Sequence, residues 1–300
     1  MEGCLGRVPA LRTNRIHGRR RAGAIVALAC AAALAMSSPA RASVTIGQLP
    51  PATPAASCMT PNLDYLQPSV TGGNLYIARV AGTITSWSTR SSGPGATYVL
   101  KVFRRTSDPD AFQVISHAPA HVLSSGLNTV GVNLHVESGD MLGFHESGLP
   151  SACTFPTPGD TVLKRSGSIA DGSSGTFSQV NGVRLNLLAV LVPDSGFTLG
   201  GIVRDRKTGT ASITADLSNP GVVTLAGKGL KKRDPKNLPV AGPVTFQLAT
   251  IGKAKRQLLR KGRVKVPVTV TFFPTGGIAS TQTINLKLLK RRPRPPTPTP

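Results

Sequence analysis

RVKVPVTVTFFPTGGIASTQTINLKLL, residues Arg263 to Leu289, is the stretch that decides the fold. Val264, Val266, Val268, Val270 and Phe272 alternate with Arg263, Lys265, Pro267, Thr269 and Thr271. Side chains along a strand point alternately to its two faces, so this is a strand with one apolar face and one wet face. A turn cluster, Pro274-Thr275-Gly276-Gly277, leads into a second alternation, Ile284, Leu286 and Leu288 against Gln282, Asn285 and Lys287. Two amphipathic strands around such a turn predict an antiparallel hairpin, and its apolar face requires a second sheet to cover it.

The residues upstream supply that sheet. Phe197–Val203, Thr210–Leu217, Val222–Ala226 and Val244–Ala249 read as short strands, with Asn219-Pro220-Gly221 as a tight turn. Ile251–Gly262 carries helix formers and reads as a short helix or crossover. Residues 197–289 therefore predict a β-sandwich of immunoglobulin-like size, without the cysteine and tryptophan hallmarks of antibody domains. GVVTLAGKGL (221–230), Gly252-Lys253-Ala254-Lys255, the Val-rich strand and Pro274-Thr275-Gly276-Gly277 resemble a basic Ig-like module at the C-termini of exported actinobacterial proteins. That resemblance covers about a third of the chain. It implies a surface or secreted accessory role and carries over no ligand.

Toward the N-terminus, residues 43–194 show short β-like runs and turn clusters with no convincing helix. Val44–Leu49, Leu75–Val80, Thr83–Trp87, Tyr98–Phe103, Phe112–Ile115, Val130–Val136, Met141–Phe144, Thr161–Leu163 and Arg184–Val192 are the expected strands. Tyr98–Phe103 is apolar on both faces and is expected to be central, while Arg184–Val192 is expected to be one buried closing strand. The spacing fits a jelly-roll-like sandwich. The fold class is thus all-β: two β-sandwich domains, jelly-roll-like then Ig-like, behind a cleaved signal peptide. Pro193-Asp194-Ser195-Gly196 is the joint between them, and residues 290–300 form a Pro-rich tail.

Residues 1–42 have the pattern of a signal peptide: an Arg-rich n-region, the 15-residue apolar run Ala22–Met36, and Ala40-Arg41-Ala42 as a small-x-small cleavage site. A bilayer span needs about 20 apolar residues, so no stable membrane insertion is expected after cleavage. Retention as an uncleaved anchor is the alternative. Cys4 and Cys30 leave with the leader, and Cys58 and Cys153, alone in an oxidising compartment, are expected to pair. The expected location is extracellular or in the cell envelope.

The net charge of +22 is unevenly placed: +6 over residues 1–42, −1 over 43–196 and +17 over 197–300. Polyanion binding is assigned to Lys228, Lys231, Lys232, Arg233, Lys253, Lys255, Arg256, Arg260 and Lys261, opposed only by Asp205, Asp216 and Asp234. Aromatics able to stack on bases are scarce, which disfavours specific nucleic-acid recognition. The expected partner is an anionic wall polymer or acidic polysaccharide. No catalytic group, cofactor or metal site is read: His117 and His121 flank Pro119 and lack a third ligand, and Asp108-Pro109-Asp110 reads as a turn.

The leading expectation is a non-enzymatic exported accessory protein. A carbohydrate-binding first domain that stacks sugar on Trp87, with Tyr76 and Tyr98 beside it, is the alternative. A hydrolase is a second one, because a dispersed triad leaves no local sign. Protein recovered outside the cell should have an intact mass that starts at Ser43. A mature species that keeps the n-region would reject the cleavage.

Overall fold

The computed structural model describes residues 42–58, 60–73 and 75–291. The leader's n- and h-regions and the Pro-rich tail after Arg291 lie outside the described residues. What is described is β structure with one short helix.

The first module contains β1 (Val44–Gln48), β2 (Leu63–Ser69), β3 (Gly82–Ser91), β4 (Thr97–Arg105), β5 (Ala111–His117), β6 (His121–Val122), β7 (Gly126–Val136), β8 (Met141–Ser147), β9 (Thr154–Ser166), β10 (Ser174–Thr176), β11 (Ser178–Leu185) and β12 (Leu187–Pro193). One sheet runs β1-β12-β3-β7 and the other β10-β5-β4-β8-β2-β9-β11, with β6 paired to β4. Without the late β9–β11 hairpin and the two shortest strands, this is four strands facing four, with the chain passing repeatedly between sheets. That strand order is the jelly roll's. Between the sheets lie Ile46, Tyr65, Trp87, Leu100, Phe144 and Leu191 among others, and Tyr98 stacks on Phe144 at 4.4 Å.

β4 is central, between β5 and β8, and apolar on both faces for a visible reason. A second cluster, including Leu66, Phe103, Phe112, Met141 and Ile169, occupies the outer face of the larger sheet, with Phe177 edge-on to Phe103 and Phe112. The segment before β10 is pinned over that face by a buried ion pair. Lys101 Nζ donates to Asp64 Oδ1 at 2.8 Å, Ser168 Oγ at 2.8 Å and the Ile169 carbonyl at 2.8 Å. Asp64 in turn accepts from the Ile169 amide at 2.8 Å, and His145 Nδ1 lies 3.0 Å from it. Removing one partner of such a pair typically costs about 3–5 kcal/mol.

Three strand expectations differ from what is observed. β2 is absent from the sequence reading because Asp64 and Gln67 are buried in it, which erases any alternation. Leu75–Val80 buries Tyr76, Ala78 and Val80 but makes only scattered backbone bonds, such as Leu142 N to Tyr76 O at 2.8 Å. Arg184–Val192 is two strands in opposite sheets, broken at Asn186. The side chain of Asn186 donates to the Arg90 and Ala152 carbonyls, both at 2.6 Å, and accepts from the Arg90 amide at 3.2 Å. A buried Asn that satisfies the backbone groups freed at the crossing is what allows an apolar run to change sheets.

The second module contains β13 (Phe197–Asp205), β14 (Thr210–Leu217), β15 (Gly221–Ala226), β16 (Lys236–Leu238), β17 (Gly242–Leu248), α1 (Gly252–Lys261), β18 (Arg263–Pro274) and β19 (Ser280–Leu289). Its sheets are β13-β14-β17 and β16-β15-β18-β19. The hairpin pairs from Arg263↔Leu289 to Phe272↔Ser280. Val264, Val266, Val268, Val270 and Phe272 are buried against Ile213, Leu217, Phe246 and Leu248 of the facing sheet. α1 closes one end with Leu258.

At the opposite end the two modules touch. Asn219, in the β14–β15 turn, is buried. Its Oδ1 accepts from the Ala81 amide at 2.7 Å, and its Nδ2 donates to the carbonyls of Ala81 at 2.9 Å and Asp194 at 2.8 Å. Gly276, at φ 71°, brings the β18–β19 turn so close that a Cβ there would lie 2.5 Å from Val44 Cγ2. Asn219→Ala strands these polar groups, at a cost of roughly 1–3 kcal/mol per unsatisfied group. It should lower the unfolding midpoint and open the 193–196 joint to limited proteolysis. Wild-type protection of that joint in the variant would refute the clamp.

Candidate anion-binding surface

Strand direction fixes where the charge falls. The 193–196 joint, the 218–221 turn and the 274–280 turn all lie at the end of the second sandwich that meets the first module. The β13–β14 turn, the loop after β15, α1, the start of β18 and the end of β19 all lie at the other end. Of the module's described Lys and Arg residues, all but Lys236 belong to these far-end segments or, as Arg204 does, to the strand end that leads into one. The ion pairs among the described residues all lie between Asp64 and Asp194. No cation of the second module has a carboxylate within salt-bridge distance among the described residues. Asp234 follows Arg233 without an ion pair, and Asp205, flanked by Arg204 and Arg206, is bound to its own turn through the Thr208 hydroxyl at 2.6 Å and the Lys207 amide at 2.7 Å. Those bonds hold its carboxyl below the usual range.

α1 is held by packing rather than by its own electrostatics. Ile251 offers no side-chain cap and no acid occupies the first turn. Lys253 and Lys255 near the N-terminus oppose the positive end of the helix dipole, at roughly 0.3–1 kcal/mol each. Buried Leu258 anchors the helix, and Gly262, in the left-handed conformation at φ 68°, ends it with an amide bond to the Leu258 carbonyl at 2.8 Å. The cost of the basic first turn is therefore carried by tertiary contacts.

The structure divides the sequence-assigned cations into three groups. Lys253, Arg256, Arg260 and Lys261 line one concavity of about 580 Å³ with Gln257. Lys255 faces another, of about 210 Å³, beside Leu259, Thr208 and Lys290. Lys228, Lys231, Lys232 and Arg233 lie on the loop along β17, where the Lys231 amide bonds to Ala249 O at 2.8 Å and Arg233 Nε to Gln247 O at 2.7 Å. A third concavity, of about 390 Å³, is lined by Gln257, Lys261, Arg263, Val264, Lys265 and Lys287. Sequence reasoning did not assign Arg263, Lys265 or Lys287 to the site. The hairpin alternation carried the signal, since pairing places Lys265 directly opposite Lys287. Like charges opposed across a ladder are destabilising.

Compared with models of known protein families, the chain matches none. No curated protein matches it either.

In the first module, the sugar-stacking expectation for Trp87 is corrected. Trp87 is fully buried in the inter-sheet core, edge-on to His121 at 6.3 Å, and offers no face to a ligand. Tyr76 and Tyr98 are buried too, and burial holds both phenols well above their ordinary range. Cys58 and Cys153 are bridged, as expected, with their Cα atoms 5.3 Å apart. His145 is the buried neighbour of Asp64. His117 is exposed beside Asp171 at 2.8 Å, and Asp110 N caps Asp108 Oδ1 at 3.0 Å in the expected turn. Cys58, Glu146 and Cys153 bring three potential ligand atoms within 4.8 Å of one another, but both sulfurs are used in the disulfide.

Glu146 is the feature no sequence signal announced. Its carboxylate is buried against the disulfide with neither oxygen hydrogen-bonded, and burial raises its pKa from 4.5 to about 7. The folded state therefore binds a proton that the unfolded state has lost. The resulting stability is fully present below about pH 4.5 and disappears as pH rises through about 7. Glu146→Gln should flatten that dependence and, at pH 8, stabilise the fold by up to roughly 2 kcal/mol. Denaturant titrations at pH 5 and pH 8 measure it, and an unchanged pH slope in the variant would refute the assignment.

Proposed function

We propose that this is a non-enzymatic exported binding protein whose basic second module associates with anionic polymer of the cell envelope or surroundings, such as a wall polymer or acidic polysaccharide. The observation that carries the proposal is the far end of that module, where a crowd of cations forms no ion pair among the described residues and only Asp205 and Asp234 stand against it. Protein surfaces commonly intersperse both signs, and a one-sign field attracts polyanions.

The seven strands divide three against four with a helix on the last crossover between sheets, and we regard this as an Ig-like arrangement. It holds the basic end away from the jelly roll through the Asn219 clamp. The Cys58–Cys153 bridge suits an oxidising compartment. Among the described residues, no helix is long and apolar enough to cross a membrane. The scarcity of exposed aromatics favours sequence-independent charge recognition over nucleic-acid readout. A sugar-binding first module loses its main support with the burial of Trp87.

The exported full chain should bind an anionic wall-type polymer, heparin and duplex DNA at low ionic strength. With about four phosphates engaged on a flexible chain, affinity should fall roughly 50-fold between 50 and 200 mM salt. Fluorescence anisotropy measures both. Undetectable binding to all three polymers at low salt would end the proposal and leave the charge as a solubility feature.

A further inference from the structure

The concavities of about 580 Å³ and 390 Å³ share Gln257 and Lys261, so they adjoin, and together they make a groove that leads from the helix onto the hairpin. We infer that this groove is a track for a single linear chain carrying phosphate or sulfate esters, ending at the opposed lysines Lys265 and Lys287. The inference rests on the polyanion reading above and adds a path, a ligand geometry and an end point to it.

Spacing supports a single chain. Cations three or four residues apart on α1 rise about 4.5 or 6 Å along the axis. Arg263 and Lys265, on one strand face, are about 6.6 Å apart. Lys265 stands about 5 Å from Lys287 across the ladder. The repeat is therefore about 5–7 Å over a path of roughly 20 Å, which suits about four ester groups on an extended chain.

Beyond Lys265 and Lys287, the same strand faces turn neutral. Asn285 opposes Pro267, and then Thr269–Thr283 and Thr271–Thr281 pair through their own hydroxyls, each at 3.0 Å. The charge stops where those threonine pairs take over. Two lysines face each other at that boundary, where every later pair of the face is neutral, and an anion bound there would relieve their repulsion.

The test compares two double variants with equal charge change in the full chain: Lys265→Thr with Lys287→Thr, and Arg206→Ser with Lys207→Ser, two exposed cations that line neither concavity. Probes are polyol-phosphate oligomers of two to eight repeats, sulfated oligosaccharides of matched length, and a short DNA duplex. The track predicts at least a tenfold affinity loss for the first pair and less than threefold for the second. It also predicts a salt slope smaller by about 1.4 for the first pair and an affinity that levels off near four repeats. The threonine pair extends the neutral ladder, so its melting temperature should equal or exceed wild type. Lys265→Arg with Lys287→Arg should keep binding.

Stronger binding to the phosphate or to the sulfate series would identify the ester and leave the track in place. Equal losses in both variants, or tighter binding to the duplex than to either single chain, would overturn the track while the polyanion reading stood. No wild-type binding at low salt would remove both.

Discussion

A strand with one apolar face cannot stand without a second sheet over it, and the second module depends on that constraint. The valine row of β18 and the leucines of β19 are covered by β13, β14 and β17. Once they are covered, the outward faces and the loops at both ends are fixed in direction. α1 has no cap of its own and a first turn whose charges oppose its dipole, yet it forms because Leu258 completes the same core. The basic groove is thus a consequence of hydrophobic burial elsewhere, since the hairpin register and the helix anchor place its cations.

The first module shows the complementary constraint, that buried polar groups must find partners. Asn186 satisfies the backbone where the chain changes sheets, and Lys101 with Asp64 holds the covering segment onto the outer face. Arg184 and Asp160 form a second buried pair. Burial raises the Asp160 pKa, but the Arg184 guanidinium and the Thr71 bonds outweigh it, and the carboxyl is held below its usual range. Glu146 breaks the rule, with neither oxygen hydrogen-bonded beside the disulfide, and its raised pKa is the energetic signature of that exception.

The two modules divide structure from charge. The jelly roll balances nearly equal numbers of acids and bases and engages many of them in pairs and networks. The second sandwich leaves its cations without ion pairs among the described residues and collects most of them at the end away from the junction. Asn219 and the close approach of Gly276 to Val44 fix that polarity, because they commit the opposite end to the first module.

Alternation from Val264 to Leu288 was enough to determine the hairpin and the need for a facing sheet, because a period of two has one physical meaning over that length. Cys58 and Cys153 were likewise legible as a pair, and the charge imbalance of residues 197–300 was plain in the composition. β2 and the break at Asn186 were decided only in three dimensions, since a doubly buried strand has no alternation and a sheet crossing is a property of neighbours rather than of local sequence. Trp87 looked the same on paper whether it faced sugar or core, and the packing between two sheets chose the core. Lys265 and Lys287 are twenty-two positions apart in the chain. Only the folded ladder, which brings distant residues face to face, makes them a pair.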